Sequence, residues 1–170
     1  MQDGAVGRTA QKGRTRAALL AAARALMDRG DVVSVAAVAD AAGISRATAY
    51  RYFSDPQTLT IEAMLDARMK SIDEILGDAT DPRERVQRVR RFLLVLTRDA
   101  EGQFRQYIAR TMELWLAHRG SERPRLRAGR RLAMYREALE PAAALLGPEQ
   151  CRQLVLMLAA TSGVESFLAL

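Results

Sequence analysis

One cysteine and one histidine are all that this 170-residue chain holds of those two residue types. A lone cysteine excludes an internal disulfide framework, and with a single histidine there is no protein-only metal set of the usual tetrahedral kind. Cys151 and His118 have no paired acids beside a nucleophile, so nothing assembles into a catalytic site. The expectations are no enzyme, no cofactor and no metal, and a reducing cytoplasm fits. His118 sits near a helix C-terminus, where a cation is mildly favoured, and Cys151 in the first turn of the last helix. Aromatic residues are also scarce, 5% of the chain, while alanine, leucine and arginine abound. That balance favours helices over sheets. No long apolar run is present: the longest uncharged stretch, 153–164, is too short to span a bilayer. The alanine-rich stretch 17–25 follows Arg14 and Arg16 as an export signal would. Its helical periodicity nevertheless continues through Met27 to a glycine stop, which speaks for a folded helix.

What is present is enough for a core. The chain is 49% hydrophobic and 27% charged, which excludes a disordered tail and suits one compact unit or a small domain plus a larger one. The net charge of +6 is unevenly placed. Residues 1–53 hold eight Lys/Arg against four acids, and residues 54–170 hold eighteen against sixteen. The excess lies in the shorter part, as a phosphate-facing surface requires.

Residues 35–53 carry the most specific pattern. Ser34 caps a short helix whose Val35, Val38, Ala39 and Ala42 recur at three- and four-residue steps. Gly43 supplies a left-handed stop, Ile44 is the apolar residue of the turn, and Ser45 caps a second helix. This is a helix-turn-helix, in which the second helix lies in the DNA major groove. Upstream, a first helix from Thr15 ends at Gly30, with Leu19, Ala23 and Leu26 on one face and Ala22 and Met27 beside them. Downstream, Tyr50-x-Tyr-Phe53 closes the second helix, and Asp55-Pro56 begins another with a capping carboxylate and a proline at the first helical position.

The helix-ending glycine, the Val-Ala pair, the Gly43-Ile44-Ser45 turn and Tyr50-x-Tyr-Phe53, in this order over residues 15–65, resemble the tetracycline-repressor (TetR) family of bacterial transcription regulators. Residues 66–170 agree with that family only in being helical. The domain boundaries expected are a mobile basic arm at 1–13, a helix-turn-helix head at 14–54, and a helical ligand-binding and dimerisation domain at 55–170. The fold class is all-α: a three-helix head followed by an antiparallel helical bundle. The arm either reaches into an adjacent minor groove or is an untidy terminus.

Within the second helix, Arg46, Ala47 and Thr48 form the first turn. Arg46 is suited to fork onto O6 and N7 of a guanine. Ala47 and the Thr48 methyl suit a thymine methyl, or Thr48 bonds a phosphate. Tyr50 and Tyr52 can donate to phosphates, although one of the two is equally a core residue with its hydroxyl at the rim. Arg51 reads a base or neutralises a phosphate. Ala49 and Phe53 hold the helix onto Leu19, Val38 and Ile44. Ser34, Ser45, Gln57 and Thr58 complete the expected DNA-facing set, the last two through their amides. The resemblance implies base and phosphate contacts at these same helix positions. Many relatives place a phosphate-binding lysine where this chain has Pro56, which predicts a shallower salt dependence.

After Pro56 the apolar pattern predicts a helix of about six turns through Leu59, Ala63, Met69, Ile72 and Leu76 to Gly77. Asp81-Pro82 starts the next, with Glu84 placed to reach back as in a capping box. Val86, Val89, Leu93 and Leu96 form its stripe, while Arg83, Arg85, Arg88, Arg90 and Arg91 lie off it, as a second DNA contact or as an ion-paired outer face. Further helices are expected at 101–119, at 124–146 with an interruption at Pro141, and at 148–170.

The resemblance implies a small-molecule pocket in the body whose filling shifts the DNA-reading heads. Phe92, Phe104, Tyr107, Met112, Trp115, Met134, Tyr135 and Met157 are the bulky candidates to line it, and they equally suit an ordinary core. The ligand would be small and apolar or aromatic. Family dimers bury their last helices, which implicates Leu158, Ala159, Ser162, Gly163, Ser166 and Phe167. The chain stops at Leu170 inside an apolar pattern, as a shorter member or a cut chain. The function expected is a homodimeric, sequence-specific regulator, most naturally a repressor released from a palindromic operator on double-stranded DNA. The alternative is a helical ligand-binding or scaffolding protein without DNA affinity.

Overall fold

The computed structural model describes residues 3–117, 129–164 and 166. Among these are nine α-helices, one 3-10 helix and no strand. None of the helices is long and apolar enough to cross a membrane. His118 and Phe167 lie outside the described residues. Two compact units can be distinguished. The first runs to Arg68 and takes in Gln106–Arg110, and the second holds the remaining described residues.

In the first unit, α1 (Asp3–Asp28), α2 (Val35–Ala41), α3 (Arg46–Tyr52) and α4 (Pro56–Asp66) surround one core. Leu19, Leu20, Val38, Ala49, Leu59 and Ala63 are fully buried there, with Phe53 and Val35 almost so. The expected break near residue 14 is absent, because α1 is continuous from Asp3. No proline interrupts residues 3–14, and extending a helix already nucleated costs far less than starting one. Residues 10–14 are exposed, so this extension is helical without being packed. Two ion pairs tie α1 to α4: Arg16 with Glu62, and Arg24 with Asp66 at 2.6 Å. The Arg16 guanidinium also lies 4.6 Å from the centre of the Phe53 ring.

In the second unit, α5 (Ile72–Leu76), α6 (Pro82–Asp99), α8 (Arg130–Ala138) and α9 (Ala143–Thr161) build the other core around Val89, Leu93, Tyr135, Ala138, Val155 and Ala159. The single six-turn helix expected from Pro56 to Gly77 is two helices. Ser71 and Glu74 form a capping box that restarts the chain as α5: each side chain bonds the other's backbone N–H. At Asp81 the cap is as expected, but Glu84 reaches forward to Arg88 rather than back. Arg88 further donates to the Leu76 carbonyl at 2.5 Å and to Asp78 at 2.9 Å. Gly77 permits this, since a Cβ there would stand 2.9 Å from the Arg88 Nη1 and its φ is +53°.

Arg85 fulfils a parallel role at the end of α8. It donates to the carbonyls of Glu137 at 2.8 Å, Ala138 at 3.2 Å and Ala79 at 3.1 Å. Two of these are last-turn carbonyls, which a helix leaves without partners of its own. Thus Arg85 and Arg88 bind within the body, while Arg83, Arg90 and Arg91 lie toward the outside of α6. α7 (Glu101–Ala117) follows α6 after Ala100. The interruption at Pro141 is a short 3-10 helix, Glu140–Ala142, and α9 kinks at Gly147 just before Pro148. α9 stops at Thr161, short of the expected 170, with Ser162 as its C-cap.

Candidate nucleic-acid interface

The recognition segment is built from three local devices. The Ser34 hydroxyl accepts from the Ala37 amide at 3.0 Å, which fixes the start of α2. Gly43 then turns with φ +64°, and the Ile44 amide reaches back to the Ala39 carbonyl at 2.9 Å. That bond satisfies a carbonyl at the end of α2 and needs the left-handed residue between. Finally, the Ser45 hydroxyl accepts from the Thr48 amide at 3.3 Å and donates to the Thr48 hydroxyl at 2.9 Å. With α2 and α3 joined in this way, Ala49 and Phe53 pack into the core beside Leu19 and Val38, and Ile44 packs against them.

This anchoring decides which side chains remain outside. Arg46, Ala47, Tyr50 and Arg51 are exposed, with Tyr50 at 52%. Tyr52 is the tyrosine that packs against the core. Ser34 and Thr48 are half-buried, and Ser45 and Gln57 are exposed. Thr58 leaves the expected set. It is buried, its amide donates to Asp55 Oδ1 at 2.9 Å and its hydroxyl to Oδ2 at 2.8 Å, so the cap of α4 engages both groups. Asp55 is also 3.5 Å from Arg110 Nε, within the same unit.

One pair was invisible to helical spacing. Asp40, near the end of α2, accepts from Arg46 Nε at 3.2 Å on one oxygen and from Nη2 at 2.7 Å on the other. The hydrogen bonds from Arg46 hold the Asp40 carboxyl below the ordinary range and raise the guanidinium's own pKa. Both groups therefore stay ionised around neutral pH.

Residues 19–63 match the family model described as "Bacterial regulatory proteins, tetR family". The chain carries a tetR-family head. A head of this family is the helix-turn-helix, DNA-binding part of a bacterial transcription regulator. The match opens at Leu19 and closes at Ala63, the first and last residues of the head core. No curated protein and no solved structure matches the chain.

Beyond its tetR-family head, the residues expected at a pocket fall into three groups. Phe92, Met134 and Tyr135 come together in the second core, where the Tyr135 hydroxyl donates to Ser162 at 2.7 Å. Burial raises the pKa of that phenol. Phe104 and Tyr107 are half-buried on α7, whereas Met112, Trp115 and Met157 are exposed. The expected dimer face is also rearranged. Ala159 belongs to the protomer's own core, Leu158 packs against it, Gly163 is buried, and Ser162 and Ser166 are half-buried. Over the last two turns of α9 the outward residues are instead Leu156, Met157, Ala160 and Thr161. Along a helix that is apolar on most sides, periodicity alone does not tell inward from outward. Among the described residues, no three of His, Cys, Asp and Glu converge as metal ligands would.

Proposed function

We propose that this protein binds a two-fold symmetric operator as a homodimer and represses transcription until a small apolar ligand releases it. The observation that carries the reading is α3 itself. Arg46, Ala47, Tyr50 and Arg51 stand exposed on a seven-residue helix whose opposite side is fixed by Ala49 and by Phe53 just beyond it. A rigid short helix offering a guanidinium fork, a methyl and a phenol is what base and phosphate contacts need. Ser45, Thr48, Gln57 and the edge of Tyr52 supply further phosphate partners. A chain that binds DNA in this way works in the cytoplasm.

The dimer is supported by apolar side chains that the protomer leaves outside: Leu156 and Met157 on α9, and Met112, Trp115 and Leu116 on α7. Exposed apolar surface of this kind marks association sites. The ligand would enter the second core beside Phe92, Met134 and Tyr135, with the Tyr135–Ser162 pair as its polar handle. The rival, a helical ligand-binding protein without DNA affinity, is favoured by Pro56 and Thr58, which leave the start of α4 without a lysine and with one amide already engaged.

Selection of bound duplexes from a random pool by the purified 170-residue chain tests the reading. An enriched inverted repeat supports both DNA reading and the dimer. A single enriched half-site retains the first and removes the second, and no enrichment removes both.

A further inference from the structure

The pair formed by Asp40 and Arg46 joins the end of α2 to the first residue of α3 across the turn. Its side chains are 57% and 63% exposed, so water screens it and it contributes little to holding the fold together. Its geometry is nonetheless specific. The carboxylate takes the Nε–Nη2 edge of the guanidinium. Of the five N–H bonds of arginine, both of those on Nη1 and one on Nη2 stay available. The Nη1–Nη2 edge is a fork of two donors, the shape that fits O6 and N7 of a guanine.

Three consequences follow from the carboxylate. Held by its inner edge, the guanidinium loses rotamers that would let it swing onto the sugar–phosphate backbone. The charge of Asp40 offsets that of Arg46, so the pair attracts phosphate weakly. A phosphate oxygen approaching Arg46 also meets the carboxylate and is repelled, whereas the neutral acceptors of a base edge are repelled far less.

We propose that Asp40 is a positioning residue that sets sequence specificity: it turns Arg46 from a sequence-blind cation into a selective reader of a base edge. This rests on the DNA-reading function proposed above. Removing the carboxylate therefore strengthens binding to arbitrary DNA and weakens the preference for the true site.

The test uses the full chain, a duplex carrying the inverted repeat selected by the native protein, and a scrambled duplex of equal length and composition. Asp40→Asn is expected to bind the scrambled duplex more tightly, with a log–log salt slope steeper by about 0.9 per head. The ratio of the two affinities is expected to fall about tenfold per half-site, within the range of one good bidentate contact. In an Arg46→Ala background the same substitution is expected to leave the ratio unchanged, a coupling that a merely structural role for Asp40 does not produce. Equal weakening on both duplexes, an unaltered ratio, or the same fall without Arg46 overturns the proposal. A native chain that prefers no duplex overturns the DNA-reading function along with it. A native preference that Asp40→Asn does not touch overturns the role of Asp40 alone.

Discussion

Between residues 19 and 63 nearly every large apolar side chain turns inward, and Val32 and Tyr50 are the exposed ones. In the second unit Leu94, Val95, Met112, Trp115, Leu116, Leu145, Leu156 and Met157 remain at the surface of the protomer. The head closes its own core, whereas the body carries more apolar surface than its helices cover. The head can be recognised from sequence because its caps and its turn are written in residues a few positions apart. In the body, several large apolar side chains stay exposed among the described residues, and the pattern there is correspondingly less distinct.

The sharpest test of that contrast is a matched truncation. Leu19→Ala, in the head core, is expected to cost about 2–5 kcal/mol in denaturant unfolding, and Leu145→Ala, on the exposed side of α9, less than about 0.5 kcal/mol. Equal costs would break the contrast. Next in size is Arg46→Ala, expected to weaken binding to the selected duplex by about 1–3 kcal/mol and to relax preference at one base pair per half-site. Its melting temperature should be unaltered, because the side chain is exposed. A uniform loss on all sequences would assign Arg46 to phosphate.

Ser34→Ala is expected to cost about 1 kcal/mol of stability through the lost cap of α2. Calorimetry reads that directly, and no change would mean that packing of Val35 and Val38 alone fixes the helix. Pro56→Lys is expected to leave stability nearly constant and to steepen the salt slope by about 0.9, because the new ammonium neutralises one phosphate. An unchanged slope would show that the start of α4 does not approach the DNA backbone. The smallest effect on protomer stability, with the clearest effect on mass, belongs to the pair Leu156→Gln and Met157→Gln. Sedimentation at micromolar concentration should then shift from dimer toward monomer, and a dimer that persists would remove the outer side of α9 as its interface.

Much of the head was legible because its signals are local. Ser34, Ser45 and Asp55 each cap the helix that their spacing announces, and Gly43 has the left-handed backbone that its place after Ala42 requires. Ser71 and Glu74 carry an equally clear signal, but the apolar period from Leu59 to Leu76 runs across them and masks the break. The pairing of Asp40 with Arg46 gives no such signal, since it joins two different helices across a turn and follows the period of neither. Arg110 beside Asp55 is a contact far apart in sequence, which only the folded chain discloses. Of the expected site, the exposed face of α3 was readable, whereas the side of α9 that turns outward was not. Leu158 and Met157 are both apolar, and only packing separates them.

The bonds from Arg85 to the end of α8 also bear on the order of folding. They join residues 52 and 53 positions apart, so α6 cannot complete its hydrogen bonding until the chain has been made beyond Ala138. Every buried residue of the head core lies between 19 and 63. During synthesis the head core is therefore complete in sequence once Ala63 has been made, while the second core waits for α8 and α9. A nascent chain halted near residue 100 would accordingly carry a formed head above an α6 whose Arg85 still lacks the carbonyls of α8 that it will hold.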